Sequence, residues 1–513
     1  MQLGFVIDHS RCIGCHACTV ACKSENEVPV GNFRTWVKYT ERGTFPQVKR
    51  SFAVLRCNQC TAAPCVTICP TNALHKRADG IVDIDSSACI GCKSCMQACP
   101  YDALYINESH GTAEKCHFCA HRTEVGLAPA CAIVCPTEAI VPGDFHDPNS
   151  RVSRMRDSGG LVARKTEAGT GPNVFYKQVD PAGVDPMQTR LSGGYIWSNV
   201  QPSPQVDTQL WEAAHQEAKA RTTYDVPRKP MWGWRVSLYL FTKSLAAGVF
   251  LASAVLFRTW DEVGGLTAKS AALAGGVAMA FLLATLFLLV IDLKRPERFL
   301  LMLVRPNWDS WLVRGGIILT AYAALLLAWI AMCAYDWLPG SGLRSLLAVL
   351  TGLAAGLSAI YTAWLFRQAK GRVLWLWELL PGHLFAQAMV AGAAAMILMA
   401  GWLELGAAAQ GTLKVWLLGF LAAHLLFTWV KGRAYLPKGR EPEFIRAVIA
   451  ITSGPYAKRH LWVGLFGGIL VPAALLIWGE PGPLWQAAAV LSLIGLWSEE
   501  DVFVRAGQAV PIS

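Results

Sequence analysis

The chain has 513 residues, 53% of them hydrophobic, and its 46 Lys and Arg exceed its 36 Asp and Glu. This length accommodates two or three domains. The basic surplus follows residue 150 and lies mostly between apolar runs, without the interleaved aromatic and basic residues of a nucleic-acid surface, so we expect no nucleic-acid partner.

Cysteine dominates the first 135 residues, where sixteen of the seventeen cysteines lie in four groups of four. The groups are Cys12-Cys15-Cys18-Cys22, Cys57-Cys60-Cys65-Cys69, Cys89-Cys92-Cys95-Cys99 and Cys116-Cys119-Cys131-Cys135. The first and third groups are near copies, and Cys-x3-Cys-Pro recurs in the last three, which is typical of duplicated ferredoxin modules. In such modules three closely spaced thiolates bind one cubane cluster, while the cysteine before the proline binds its neighbour.

Zinc sites and a disulfide-stapled scaffold are the alternatives for these thiols. Zinc sites use isolated Cys-x2-Cys pairs, whereas two groups here have three cysteines in succession at that spacing. Residues 1–8 contain no charged segment followed by an apolar one, so we expect no signal peptide. Dense cysteine outside the secretory route favours metal ligation, and we therefore predict four iron–sulfur clusters.

Further motifs carry a family resemblance over about residues 1–180. Lys115-Cys-His-Phe-Cys119, Pro129-Ala-Cys131 and residues 169–176 resemble the four-cluster electron-transfer subunits of molybdopterin oxidoreductases, such as dimethyl sulfoxide reductase, polysulfide reductase and formate dehydrogenase. The resemblance implies an α+β, duplicated ferredoxin-like domain in which the ligands cross between groups. The implied sets are Cys12, Cys15 and Cys18 with Cys135; Cys116, Cys119 and Cys131 with Cys22; Cys57, Cys60 and Cys65 with Cys99; and Cys89, Cys92 and Cys95 with Cys69. Because Cys65 is present where some relatives lack a cysteine, we expect four [4Fe-4S] clusters.

The next segments predict a hairpin and a linker. Alternating residues over 34–39 and 52–56 predict a hairpin around the turn at 41–46. Residues 181–231 have the composition of a linker, with a short amphipathic helix predicted over 209–220. We interpret the linker as an extended tether that packs on the cluster domain, with a strap that grips a partner subunit as the alternative.

From residue 232 onward the sequence consists of apolar runs long enough to span a bilayer. We predict an all-α membrane domain over 232–513 with eight transmembrane helices, the last of them short, at 234–257, 270–291, 312–335, 345–366, 382–403, 413–430, 461–478 and 484–497. Tryptophans near the span ends are expected to form an interfacial belt.

Basic loop residues predict the orientation of these spans. The side shared with the cysteine domain carries most of them, namely Lys294, Arg295, Arg298, Arg305, Arg314, Arg367, Lys370, Arg372, Lys431, Arg433, Lys438, Arg440, Arg446, Lys458 and Arg459. The opposite side carries Arg258, Lys269, Arg344 and Lys414. By the positive-inside rule we expect a multi-pass protein of the inner (cytoplasmic) membrane whose cluster domain faces the cytoplasm.

The membrane domain resembles the NrfD-like anchors, of which the membrane subunit of polysulfide reductase is the best-known example. The matching stretches are residues 239–248, 291–299, 306–310 and 361–375. The resemblance implies eight helices, no haem, and a quinone site at the membrane edge beneath the nearest cluster. The quinone-contacting tyrosine of the family aligns with Tyr361, and a histidine of its first helix aligns with Tyr239.

Charged and hydroxyl side chains support such a site independently. Lys243 lies nine residues beyond Trp234, about 13 Å along a helix axis, where an ammonium is costly unless it faces a polar cavity. Tyr239 shares its helical face, while Asp292 and Tyr361 lie towards the cluster side. We predict that Tyr239, Lys243, Asp292 and Tyr361 bind a quinone, either menaquinone or ubiquinone. The alternative is that the tyrosines only pack between helices and that the lysine extends to the interface.

Other polar residues of the spans receive simpler interpretations. A bis-histidine haem needs two histidines that face each other at one depth, so we expect His383, His424 and His460 to be interfacial or polar-cavity residues. Cys333 is expected to be a small apolar residue. Glu404, at the far edge of the fifth span, is expected to be solvated at the interface.

Two functional hypotheses follow. The first is an electron-transfer and quinone-reactive anchor subunit, without substrate-converting residues of its own, whose partner carries a molybdenum or tungsten bis-pterin cofactor. Formate or sulfite dehydrogenase is favoured for that partner, with reduction of sulfur compounds or sulfoxides as the close rival. The second is an ion-translocating module of a larger respiratory complex, for which Lys243, Asp292, His383, Gln387, His424 and Glu404 give only a sparse polar chain.

Overall fold

The structure is a computed structural model that describes residues 1–191, 220–226, 228, 230–258, 266–335 and 342–513. The predicted amphipathic helix over 209–220 lies outside the described residues, except for Ala220, which belongs to a strand. Short strands and helices make up the N-terminal region, and long helices follow them.

Strands of the N-terminal region form, among the described residues, two four-stranded sheets and two short antiparallel pairs. They are β1 Leu3–Asp8, β2 Thr35–Thr44, β3 Gln47–Arg56, β4 Leu74–Lys76, β5 Val82–Ile84, β6 Leu104–Asn107, β7 Thr112–Lys115, β8 Ile140–Asp144, β9 Leu161–Ala163, β10 Val174–Lys177, β11 Thr189–Leu191 and β12 Ala220–Tyr224. The sheet orders are β8-β1-β10-β9 and β11-β12-β2-β3, and the short pairs are β4-β5 and β6-β7. The antiparallel β2-β3 pair confirms the predicted hairpin, although its strands extend further than the alternating residues.

Short helices and tight turns position the cysteines. The helices are α1 Ala17–Glu25, α2 Pro64–Ile68, α3 Ser94–Ala98, α4 Ala120–Thr123, α5 Ala130–Ile133, α6 Arg151–Asp157 and α7 Pro181–Val184, with 3₁₀ turns at Thr166–Ala168 and Pro186–Gln188. The near-copies of the cysteine motif share one backbone path, because Gly14 and Gly91 have φ of 70° and 67° and His16 and Lys93 have φ of 59° and 63°. These left-handed residues turn the backbone just before α1 and α3, so three successive cysteines of each copy line one cavity.

Long helices make up the C-terminal region. They are α8 Trp234–Arg258, α9 Ala268–Ile291, α10 Leu301–Val304, α11 Trp311–Ala334, α12 Gly342–Gln368, α13 Leu380–Leu398, α14 Ala407–Val430, α15 Glu441–Thr452, α16 Arg459–Trp478 and α17 Pro483–Ala509, with 3₁₀ turns at Pro296–Arg298 and Val373–Leu376. Among the described residues, seven helices are long and apolar enough to cross a membrane: α8, α9, α11, α12, α13, α14 and α16. The eighth predicted span, 484–497, lies within α17, so the count of eight stays a prediction.

Helices α8 and α13 form the centre of this region and cross in direct backbone contact. A Cβ on Gly248 would lie 1.9 Å from the carbonyl oxygen of Ala388, and a Cβ on Gly392 would lie 2.1 Å from the carbonyl oxygen of Gly248. Crossings of small residues are how membrane helices approach closely without a hydrophobic driving force. This contact fixes α8, and therefore Lys243, in the interior of the domain.

Hydrogen bonds from the loop before α11 attach the cluster domain to the helices. Asn307 Nδ2 donates to the carbonyl oxygens of Val66, Thr67 and Cys69 at 3.2, 3.3 and 2.8 Å, and Ser310 Oγ donates to that of Ile68 at 2.7 Å. The carbonyls of Thr67, Ile68 and Cys69 lie at the end of a short helix, where the helix itself supplies no donor, whereas that of Val66 also accepts from the Cys69 amide at 3.1 Å. Cys69 is thereby held directly against the membrane domain.

A second attachment joins α3 to the C-terminal end of α17. Gln97 Nε2 donates to Gln508 Oε1 at 3.0 Å, and Gln508 Nε2 donates to the Trp232 carbonyl oxygen at 2.8 Å. Gly371 packs directly against the turn that follows α3, since a Cβ on Gly371 would lie 2.5 Å from the carbonyl oxygen of Cys99. The cysteine-bearing turns of the second and third groups thus both rest on the membrane domain.

The α8–α13 contact makes a testable prediction about stability. Gly392→Ala should destabilise the membrane domain by about 1–3 kcal/mol, because a methyl group would be forced into a packed backbone contact. Gly276→Ala in α9 is the matched control, since nothing lies within 4 Å of a Cβ at that position. Thermal unfolding of the detergent-solubilised protein measures both, and equal melting temperatures for the two variants would contradict the crossing.

Candidate functional site

The structure gathers cysteines from different groups into shared sets. Three sets each line one cavity: Cys12, Cys15, Cys18 and Cys135; Cys22, Cys116, Cys119 and Cys131; and Cys69, Cys89, Cys92 and Cys95. The fourth set is Cys65 with its neighbours Cys57, Cys60 and Cys99. We call the Cys12 and Cys22 sets the outer sets and the other two the inner sets. These are the combinations that the family resemblance implies, and their role as ligands stays a proposal.

The spacing of the sulfurs favours clusters over zinc. Within the described part of the chain, no three His, Cys, Asp or Glu side chains converge closely enough to hold a single ion. A zinc ion requires its ligand atoms at about 2.0–2.3 Å in a tetrahedron. Four cysteines that line one cavity, as in three of the sets, suit a polynuclear cluster bound at its corners.

The charges around the sulfurs also fit thiolate-bound clusters. Arg56 and Lys115 are buried among the cysteines, and neither has a carboxylate partner among the described residues. Buried cations require a counter-charge, which metal-bound thiolates would supply. Burial raises the pKa of the Cys18 thiol to about 11 and that of Cys92 to about 12. Cluster binding would therefore displace protons from these thiols.

Exposure distinguishes the two ends of the array of sets. Cys15 is exposed and Cys12 and Cys135 are half-buried. At the other end, the inner sets share a hydrophobic core with Leu365 of α12, and Trp311 of α11 packs against it. One end of the array therefore faces the surface, and the other contacts the membrane helices.

A group of buried polar side chains lies within the helices below the inner sets. Lys243 Nζ donates to Thr362 Oγ1 at 2.6 Å and to the Ala359 carbonyl oxygen at 2.7 Å, and lies 5.3 Å from the centre of the Tyr361 ring. The hydroxyl of Tyr239 lies beside that of Tyr361 but makes no hydrogen bond of standard geometry. The structure thus brings together three of the four predicted quinone-site residues.

Glu500 of α17 completes this group. Its Oε1 accepts from Ser244 Oγ at 3.3 Å, its Oε2 has no hydrogen-bond partner, and its charge interacts with that of Lys243. The two residues that flank it are paired with α16, since Glu499 contacts His460 Nδ1 at 2.7 Å and Asp501 accepts from Arg459 at 2.5 Å. Glu500 alone of these three acids is directed at the tyrosine–lysine group.

Comparison with known proteins identifies both regions. Residues 223–511 match the family model described as polysulphide reductase, NrfD, which spans more than half of the chain. The protein belongs to the NrfD family. Residues 48–145 match a 4Fe-4S dicluster domain. Both predicted resemblances are therefore confirmed, and the protein is an iron–sulfur domain followed by an NrfD membrane domain.

The iron–sulfur region is similar to subunits of reductases. A tetrathionate reductase subunit of Salmonella typhimurium is 44% identical over 203 residues, which are 39% of this chain and 81% of the relative. Arsenate respiratory reductase iron–sulfur subunit ArrB of a Shewanella species is 38% identical over 34% of this chain and 96% of its own length. A polypeptide of the polysulfide reductase of Wolinella succinogenes is 38% identical over 36% of this chain and 98% of its own length.

Asp292, the fourth predicted quinone-site residue, lies outside the polar group of the NrfD domain. It follows α9 and forms an ion pair with Lys93 of the iron–sulfur domain at 2.9 Å. Burial raises the pKa of the Asp292 carboxyl, although Lys93 opposes this shift. The structure therefore assigns Asp292 to the junction between the two domains.

The remaining predicted residues of the NrfD domain lie apart from this group. The rings of His383 and His424 contact each other edge to face at 4.9 Å between centres, and their Nε2 atoms have no hydrogen-bond partner. Glu404 is exposed and Cys333 is buried in the apolar core. The absence of haem stays a prediction.

Sequence reasoning missed Glu500. The last predicted span ends at residue 497, which leaves the acids that follow outside it. Three successive acids that continue an apolar helix without a Gly or Pro were the available signal, because ionisable residues inside membrane helices mark functional sites.

Crossed ligation predicts which cysteine variants act alike. Cys22→Ala and Cys131→Ala should alter the same electron paramagnetic resonance (EPR) signal, since both side chains line one cavity, and Cys12→Ala and Cys135→Ala should alter another. Spectra of the reduced protein and its iron content measure this. If Cys22→Ala instead altered the Cys12 signal, each group would bind its own cluster and the crossed arrangement would be wrong.

Proposed function

We propose that this chain carries electrons between a catalytic partner subunit and a quinone, through four [4Fe-4S] clusters held by its iron–sulfur domain. When bound, such a cluster accepts and releases one electron at a time. The observation that carries the proposal is the sharing of one hydrophobic core by the inner cysteine sets and Leu365, which lies one helical turn from Tyr361. Four residues correspond to about 6 Å along a helix axis, so both ends of the transfer lie close together.

Tyr239, Lys243, Tyr361 and Glu500 are the groups that we propose to serve the quinone. The unpartnered Tyr239 hydroxyl is available to a quinone oxygen, and Lys243 is held in place by Thr362 and the Ala359 carbonyl. Reduction of a quinone requires protons as well as electrons, and the buried Lys243–Glu500 pair can hold and release them. Which quinone is used, menaquinone or ubiquinone, depends on the potential of the partner reaction.

The partner is proposed to be a molybdenum or tungsten bis-pterin enzyme that docks over the exposed outer set. Apolar side chains surround that end: Ile13, Val20, Ile133 and Val134 are 59%, 64%, 56% and 40% exposed. Helices α1 and α5, which carry Val20 and Ile133, pack against each other, so these two exposed side chains lie on neighbouring elements. An apolar surface around an exposed electron-transfer site is the expected form of a protein interface.

The names of the relatives favour the reductive direction. These names describe reductases of tetrathionate, arsenate and polysulfide. None of the three names a formate or sulfite dehydrogenase, which is the partner that the sequence favours. We therefore take reduction of an oxidised sulfur or arsenic compound by quinol as the first candidate. Oxidation of formate or sulfite, with electrons entering the quinone pool, is the rival.

An eight-helix domain with its iron–sulfur domain in the cytoplasm is part of the proposal. Helix α17 is 27 residues long, which is sufficient for an eighth span. Among the basic loop residues, Lys294, Arg298, Arg305 and Arg372 contact the iron–sulfur domain, which fits a cytoplasmic face under the positive-inside rule. A duplicated ferredoxin-like fold is supported by the shared backbone path of the two cysteine motifs.

The second hypothesis, an ion-translocating module, has less support from the positions of the buried ionisable residues. A pump requires ionisable groups along the whole thickness of the membrane. Among the described residues, the buried ionisable side chains of the spans (Lys243, His383, His424, His460, Glu499, Glu500 and Asp501) all lie in the halves of their helices nearer the iron–sulfur domain.

The quinone site predicts a selective loss of activity. Tyr361→Phe and Glu500→Gln should each slow reduction of the clusters by quinol at least about tenfold, because each removes a group that handles a proton. Tyr322→Phe is the matched control, since this buried tyrosine donates to the Ala246 carbonyl oxygen at 2.7 Å and packs edge to face on Phe250. Anaerobic stopped-flow absorbance measures the rate, and reduction by dithionite should be unchanged. A slow Tyr322→Phe variant or a wild-type rate for the other two would reject the site.

Docking of the catalytic partner predicts a second selective loss. Ile133→Glu should remove molybdenum or tungsten from the complex purified through a tag on this protein, because a buried carboxylate would disrupt the apolar contact. Val162→Glu is the control, because Val162 is also exposed (52%) but lies at the other edge of the sheet. Helix α5, which carries Ile133, packs on the edge strand β8, whereas Val162 lies on the opposite edge strand, β9. Metal analysis that gave the same loss for both variants, or for neither, would contradict docking at this surface.

Orientation predicts the outcome of a reporter fusion. Ser513 contacts Asp102 of the iron–sulfur domain at 3.1 Å, so a C-terminal reporter lies on the same side as that domain. A fused green fluorescent protein should be fluorescent, and a fused alkaline phosphatase inactive, if that side is cytoplasmic. Active phosphatase would place the domain on the opposite side.

A further inference from the structure

Arg56 is a fully buried cation in contact with a cysteine sulfur. It ends β3, immediately before Cys57, and none of its side chain is exposed. Its Nη1 donates to Cys131 Sγ at 3.2 Å, and its guanidinium lies 4.3 Å from the centre of the Phe5 ring. Nε and Nη2 have no hydrogen-bond partner among the described atoms.

The side chain of Arg56 is close to cysteines of both outer sets. It lines the cavity of Cys22, Cys116, Cys119 and Cys131, and it also interacts electrostatically with Cys18 of the other outer set. No carboxylate of the described residues forms an ion pair with it. An uncompensated buried charge is costly, so a role in packing alone does not account for a guanidinium at this position.

The inner sets have different charges near them. Lys115 donates to the carbonyl oxygens of Cys116 and Val82 and interacts electrostatically with Cys57, Cys60 and Cys65. Lys93, next to Cys92, is neutralised by its ion pair with Asp292. Arg56 differs from these lysines because it donates to a cysteine sulfur of an outer set, whereas Lys115 donates to carbonyl oxygens. Lys23, next to Cys22, is half-buried and also donates to carbonyl oxygens, those of Pro29 and Asn32.

We propose that Arg56 raises the reduction potentials of both outer clusters, and most strongly that of the Cys22–Cys116–Cys119–Cys131 cluster. A thiolate-bound [4Fe-4S] cluster becomes more negative by one charge when it is reduced, and a fixed cation nearby stabilises that form. Hydrogen bonds to cluster sulfurs act in the same direction. Arg56 thus tunes the reduction potential of the clusters at the end of the array that faces the partner, without binding a cluster iron itself. This role rests on the proposed occupancy by [4Fe-4S] clusters.

An EPR-monitored redox titration of the full-length protein in detergent tests this role. Arg56→Gln should lower the midpoint potentials of the two outer signals, identified through the cysteine variants described above, and leave the inner signals unchanged. Arg56→Lys, which keeps the charge, should restore most of the shift. Lys115→Met is the matched control and should lower an inner potential instead.

A measurement on the unaltered sequence keeps the proposal testable if Arg56→Gln fails to assemble. In protein labelled with ¹⁵N-arginine, pulsed EPR of the reduced outer cluster should detect a guanidinium nitrogen coupled to it. Unchanged outer potentials in Arg56→Gln, equal shifts of all four signals, or no nitrogen coupling would each overturn the role of Arg56. Absence of any reduced-cluster signal would instead reject the proposed function.

Discussion

Hydrogen bonds between Asn307 and the turn that ends at Cys69 determine how the two halves of this molecule work together. The amide of Asn307 donates to the carbonyl oxygens of Thr67 and Cys69, for which the short helix α2 supplies no donor, and Ser310 donates to that of Ile68 in the same turn. The cysteine-bearing turn and the start of α11 therefore cannot separate without leaving buried polar groups unpaired. Fusion in one polypeptide keeps the two domains near each other, and this contact fixes the position of the iron–sulfur domain on the membrane domain.

Position matters for the proposed function because both of the groups that it requires are buried. The inner cysteine sets lie inside the iron–sulfur domain, and Lys243 and Glu500 lie inside the NrfD domain. Under the proposed function, electron transfer between them requires that the intervening protein be short, and the shared core around Leu365 provides that short connection. Charged side chains are buried in both regions. In the iron–sulfur domain Arg56, which has no carboxylate partner among the described residues, contacts the sulfur of Cys131. In the NrfD domain the amine of Lys243 and the carboxyl group of Glu500 belong to one buried polar group.

The cysteine sets could be predicted from sequence because cluster ligation depends on local spacing, and family motifs supplied the crossed pairing. The helical membrane domain followed from long apolar runs, which leave few alternatives to a helix. The position of Asp292 at the end of its span predicts a place beside the tyrosines, but its partner Lys93 is 199 residues away in the sequence, and only domain docking brings the two together. Glu500 was missed because hydropathy places the end of a span at the first charges. A helix that continues into a protein interior has no such limit, since neighbouring helices can solvate its acids.

Direct electron transfer from quinol to the cysteine-bound clusters is the central claim. It is tested most directly by adding a reduced menaquinone or ubiquinone analogue to the purified protein, without any partner subunit, in lipid vesicles under anaerobic conditions. EPR should then detect reduced [4Fe-4S] signals whose extent follows the quinol-to-quinone ratio. Clusters that dithionite reduces but that neither quinol reduces at any ratio would contradict a quinone site on this protein.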